Sequence, residues 1–179
     1  AWGLELCGIS AAAPGVLVQV NTLLEGAFDP SNNSMRTTLQ DGSILPFQQP
    51  YNQAPWNYAE AISFDPATVP TDIVDWVLLE IRTGSSSATT IVSKAALLLS
   101  DGRIVDATAS ANGVSFTNLL DNTPYYVAVR HRNHLDVVSA TPITVNNFNL
   151  SYDFTSSITQ AYGLNQMKPM TANIAAQYA

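Results

Sequence analysis

Histidine, cysteine, paired acids and exposed aromatic rings are the side chains with which a chain of this kind could do chemistry. The two histidines, His131 and His134, share the polar run Arg130-His-Arg-Asn-His-Leu-Asp136. On a strand, residues three apart point to opposite faces, so the pair could hold one metal ion only if the backbone turned between them. With no cysteine beside them a zinc ligand set is incomplete. The expectation is no metal site, with one histidine ordering a turn and the other half-buried. Cys7 is the single cysteine, so no internal disulfide can form, and it reads as a small buried apolar residue. No Gly-x-Ser-x-Gly elbow singles out a nucleophilic serine. Glycoside hydrolysis needs two carboxyls about 5–10 Å apart across a cleft. Asp72 and Asp75 flank a strand start, where capping and solvated-turn roles are the expectation. No catalytic residue and no cofactor are assigned.

The rings of Tyr51, Trp56 and Tyr58 form a candidate glycan-binding platform, because sugars stack on flat rings carried by loops. Packing of the same rings against a sheet is the stronger expectation, since large aromatics bury most of their area. The first residues supply another candidate surface. Trp2, Leu4, Leu6 and Ile9 make residues 1–15 unusually apolar for a terminus, and self-assembly by docking on a neighbour would cover them.

The elements that must position these residues are read from two-residue periodicity. Tyr125, Val127 and Val129 alternate with Tyr126, Ala128, Arg130 and Arg132, one apolar face and one polar. Asp121-Asn-Thr-Pro124 opens this strand as a turn. The segment Arg132 to Asp136 reverses it into a second β-rich run, Val137 to Val145, making a hairpin. Residues 72–82 give a central strand, with Val77, Leu79 and Ile81 on one face and Trp76, Leu78, Glu80 and Arg82 on the other. Glu80 is expected to pair with Arg130 across neighbouring strands. Further strands are expected at Val16–Val20, Met35–Leu39, Ile91–Ser100, Val114–Asn118 and Phe148–Phe154, with hairpin-type turns at Asp41-Gly42 and Asp101-Gly102. Five of the ten prolines fall between Pro46 and Pro70, so residues 46–70 form an aromatic-rich loop covering one side of the sheet.

Bulk composition sets the limits. A chain of 179 residues fits one domain. Only 12% of its residues are charged and the net charge is −7 with seven basic residues. Nucleic acid, which demands a basic stripe, is excluded as a partner. No apolar run approaches the roughly 20 residues of a membrane span, so membrane insertion is not expected. Nor does the start carry a charged and then apolar leader, so any export signal is expected to have been removed.

Several runs resemble known families. Phe116-Thr-Asn-Leu-Leu-Asp-Asn-Thr-Pro-Tyr-Tyr-Val-Ala-Val129 resembles the E–F corner and F strand of fibronectin type III domains, with Leu119 and Tyr125 or Tyr126 in the matching roles. A wider resemblance spans residues 17–163. It rests on Leu23–Phe28, Pro50-Tyr51-Asn52, Pro55-Trp56-Asn57-Tyr58, Val74–Arg82, Ala95–Asp106, Tyr126–Ala140, Tyr152–Thr155 and Gln160–Gly163. These are similar to a module of large secreted or surface proteins of Bacteroidota-type bacteria. Members of it often continue into a calcium-loop-like tail rich in Asp, Asn and Gly. No such run occurs up to Ala179, so no calcium ligands are carried over.

The expectation is therefore an all-β chain, an Ig/fibronectin-like antiparallel β-sandwich. Its resemblance implies an extracellular or cell-surface location and a non-enzymatic structural or adhesion role in a filament-like or multidomain assembly. Partners would be other copies of itself or neighbouring domains. The alternative is a carbohydrate-binding accessory module, with polysaccharide as partner.

Overall fold

In the computed structural model of the chain, residues 14–108, 112–170 and 177–178 are described. Trp2, Leu4, Leu6, Ile9 and Cys7 lie outside them. The described chain is mostly β. In order it forms β1 (Val16–Asn21), β2 (Phe28–Asp29), β3 (Ser34–Met35), α1 (Thr38–Asp41), β4 (Ile73–Arg82), β5 (Thr90–Leu99), β6 (Ile104–Val105) and β7 (Val114–Phe116). Then follow β8 (Pro124–Arg130), β9 (Val137–Val138), β10 (Ile143–Thr144), β11 (Asn149–Asp153), β12 (Lys168–Pro169) and β13 (Gln177–Tyr178).

The larger sheet runs β10-β8-β4-β5-β6, with β9 also on β8, and all its pairs are antiparallel. The smaller sheet runs β11-β1-β7, antiparallel at β7 and parallel at β11. Alternation explains the packing. Val77, Leu79 and Ile81 of β4, with Val127 and Val129 of β8, join Val16, Val18 and Val20 of β1 and Leu150 of β11 in one hydrophobic cluster. The opposite face of β4 offers Trp76 and Leu78, which cluster with Leu45, Tyr51, Tyr58 and Phe64. Apolar surface on both faces is why every residue of β4 is buried.

The strand expected at residues 91–100 appears shifted by one residue as β5, and those at 114–118 and 148–154 appear with trimmed ends as β7 and β11. The run at 137–145 appears as two short strands, β9 and β10, both on β8. Between them Ser139 Oγ accepts the Val127 N–H at 3.1 Å, so a side chain replaces part of the ladder.

Two expectations about residues 35–42 are overturned. Met35 to Leu39 is not a strand, and Asp41-Gly42 is not a hairpin turn. The strand stops at Met35 and a single helical turn follows. Thr37 Oγ1 donates to Asp41 Oδ2 at 2.7 Å, and the Gly42 N–H returns to the Thr38 carbonyl at 3.0 Å. The side chain of Gln40 then ties this turn to the start of β4, donating to the Pro70 carbonyl and accepting the Ile73 N–H, both at 2.7 Å.

Candidate functional site

The site begins with an irregularity in the central strand. Opposite β5, Ile73 pairs with Leu99 and Asp75 with Leu98, leaving Val74 as an extra residue. Such a bulge bends the strand and re-aims the side chains beside it. Here it sets Asp75 against the end of β8, where His131 and Arg132 leave the sheet.

Asp75 is buried yet fully engaged. Its Oδ2 lies 3.1 Å from His131 Nε2. Arg132 Nη2 donates to Oδ1 at 2.6 Å and to Oδ2 at 2.8 Å, and the Trp76 N–H donates to Oδ1 at 2.7 Å. Burial alone would raise its pKa. The His131 hydrogen bond and the Arg132 charge outweigh it and hold the carboxyl below its usual range. The expected solvated turn role for Asp75 is thus corrected, because the bulge turns the carboxylate inward.

The backbone does turn between the two histidines, and their rings meet, centroids 4.8 Å apart. His134 Nδ1 is 2.9 Å from His131 Nδ1, and the Asn133 N–H donates to the same His131 nitrogen at 3.2 Å. One proton assignment satisfies all of these contacts. A nitrogen that accepts from Asn133 carries no hydrogen, so His131 donates through Nε2 to Asp75 and accepts at Nδ1. The bridging hydrogen therefore sits on His134 Nδ1. Carboxylate, imidazole and imidazole form a directed chain. Burial and the neighbouring His131 lower the His134 pKa, partly offset by Glu25 and Asp75, which keeps that ring neutral at pH 7.

Both rings line a cleft of about 200 Å³ between the turn before β2, the α1 region and the end of β4. Leu24, Ala27 and Leu39 form its apolar wall; Thr38, Asn133 and Arg36 supply polar atoms. Chemically the chain can accept a proton or a hydrogen bond at the far end of His134. Among the described residues no group of three His, Cys, Asp or Glu side chains is placed to hold a metal ion.

The other candidates are not brought together. Tyr51 is fully buried, its hydroxyl donating to the Trp76 carbonyl at 2.7 Å. Tyr58 is buried too, and its hydroxyl donates to Glu60 at 2.7 Å. Trp56 stays half-buried with its ring edge-on to Tyr51. The three rings therefore do not present a shared flat surface, and packing claims two of them. Asp72 is partly exposed and lies at the strand entry, where its carbonyl accepts the Ser100 N–H at 2.8 Å.

The expected Glu80–Arg130 pair is present at 3.0 Å. Glu80 stands opposite Ala128, so the contact runs diagonally across the pleat. Arg82 also holds Glu80, donating to Oε2 through Nε at 2.9 Å and Nη2 at 2.5 Å, while Arg130 Nε reaches Asp136 at 2.7 Å. Missed from the sequence was the grouping of Asp75 with His131 and Arg132, which lie more than 50 positions downstream of it. The usable signal was a carboxylate inside the apolar first part of β4, residues 73–79: a buried acid demands a cation or donor.

Comparison with protein-family models, with curated proteins and with solved structures finds no match.

Proposed function

We propose that this chain is an Ig/fibronectin-like β-sandwich serving as a non-enzymatic structural or adhesion module of an extracellular, cell-surface assembly. Strand partition supports the architecture. The pairing of β1 with β7 and the order β5-β4-β8-β10 are what the B–E and C′–C–F–G sets of that fold would require. The hydroxyl of Tyr125 accepts the Leu120 N–H at 3.2 Å, a bond of the kind expected of a tyrosine corner. Residues 46–70 act as the cover of the outer face, through Tyr51 and Phe64 on Trp76.

The observation that carries the functional reading is where the apolar and charged groups end up. Buried charges are consumed by one another in the Asp75 and Glu80 clusters, while large apolar side chains stay in water. Leu135 is 85% exposed and Leu164 88%, with Leu120, Ile44 and Phe47 also largely bare. Exposed apolar groups of this size, on a chain with 12% charged residues, would lose water if neighbours covered them. Other copies of the chain or adjoining domains would supply that cover, with residues 1–15 contributing.

Light scattering on a size-exclusion column tests this. The 179-residue chain is expected to run larger than one protomer. Deleting residues 1–15, or making Leu135→Ser with Leu164→Ser, is expected to return it to a monomer. A 179-residue chain that is monomeric at high concentration, with stability indifferent to the deletion, overturns the reading.

A further inference from the structure

Four imidazole nitrogens enter the histidine pair and three are spent inside it. His131 Nε2 faces Asp75, His131 Nδ1 accepts twice, and His134 Nδ1 donates. The fourth, His134 Nε2, has no hydrogen-bond partner among the described residues. Because the proton of His134 is held on Nδ1, Nε2 offers a lone pair and no hydrogen. It is an acceptor whose direction is set from behind by a carboxylate, as an orienting group sets a catalytic or ligating imidazole.

The cleft tells what could meet that lone pair. At about 200 Å³ it is smaller than the roughly 300–1,000 Å³ of drug-sized pockets, leaving room for one small ring. One wall is apolar (Leu24, Ala27, Leu39) and the other polar (Thr38, Asn133, Arg36). An anion would meet the bare lone pair and the Asp75 carboxylate, with the Arg36 guanidinium already engaged by the Phe28 carbonyl and Asp29, and a metal cation lacks further ligands among the described residues. A neutral ring with an apolar C–H face and a rim of hydroxyls satisfies both walls, since a hydroxyl can donate to nitrogen and accept from an amide.

We propose that this cleft is a binding site for a single neutral sugar ring, one hydroxyl of which donates to His134 Nε2. Gly26 keeps the approach open. A Cβ placed there would stand 3.6 Å from His134 Nε2, in ordinary contact and over the nitrogen the ligand must reach. Gly26 is exposed, so a larger side chain there closes the cleft without entering the core. The proposal is independent of the assembly role, and it moves sugar recognition away from Tyr51, Trp56 and Tyr58 to the bulged start of β4.

The test is a titration of the whole chain followed through its histidine ring signals by NMR. The probes are methyl glucoside, methyl galactoside and methyl mannoside, with tetrahydropyran as the ring without hydroxyls. At least one glycoside is expected to move the His134 ring signals saturably while tetrahydropyran does not. In Gly26→Leu the apparent affinity is expected to fall about tenfold or more, with the His131 signals unchanged as proof of an intact fold. If Gly26→Leu does not fold, Gly26→Ala replaces it and a smaller loss is expected. Silence from all three glycosides overturns the proposal, as does an equal response to tetrahydropyran. An undiminished response in the Gly26 variant also overturns it, and a response to zinc alone replaces it with a metal site.

Discussion

Asp75 has been taken out of water and remains ionised because four donated contacts replace its hydration. A buried charge held this way is costly to half-dismantle. Asp75→Asn leaves Arg132 facing a neutral amide, and urea titration is expected to show a loss of about 3 kcal/mol. That is the low end for a broken buried pair, because Arg132 keeps partial exposure. The same cluster fixes how stability responds to pH. Asp75, Glu80 and His134 all titrate lower in the folded chain than their ordinary values of 3.8, 4.5 and 6.5. Each binds fewer protons folded than unfolded, so stability falls as pH falls. Thermal melts are expected to weaken first from about pH 6.5 downward, through His134, and again in the carboxylate range. His134→Gln is expected to abolish the upper decline and leave the lower one. An upper decline that survives the substitution would show that His134 is not its source.

At the level of elements, β4 was the most legible part of the chain and also hid the most. Val77, Leu79 and Ile81 against Trp76, Leu78, Glu80 and Arg82 is a two-residue rhythm that any strand must show, so both faces could be read. The shared face of Glu80 and Arg130 was enough to anticipate their pair. What could not be read was the bulge at Val74, because an extra residue on one strand is defined only by its partner. The His131–His134 contact was missed for a related reason. Alternation placed the rings apart, and it stops applying where β8 ends at Arg130. Of the proline and aromatic run, Tyr51, Tyr58 and Phe64 are buried in one cluster with Trp76 and Leu78. Its attachment can be dissected at Tyr51. Tyr51→Phe removes one buried hydrogen bond to Trp76 and is expected to cost about 1 kcal/mol. Tyr51→Ala also opens a cavity and is expected to cost about 3–5 kcal/mol. Equal costs for the two would mean that the hydroxyl, and not the ring, holds the segment down.

For the molecule as a whole, two hydrophobic clusters meet on opposite faces of a single strand. No local opening can free β4 without disturbing one cluster or the other. Amide hydrogen exchange is therefore expected to be slowest at Trp76 to Ile81, proceeding there only through global unfolding, and fast in the two-residue strands β2, β3 and β12. Exchange in β4 no slower than in those short strands would contradict a core shared across both faces.

Strand β1 meets its neighbours late. Val16 pairs with Phe116, and Leu17 with Asn149 in parallel, so each partner lies about a hundred residues or more downstream. A ribosome releasing the chain from its start delivers β1 long before either arrives, whereas β4 and β5 can zip together as a local hairpin. Until residues 114–116 and 149–153 have been made, β1 has neither of its strand partners, and both of its sides are unclaimed. A chain halted before Asn149 leaves β1 open along one side, ready to recruit a strand from another molecule.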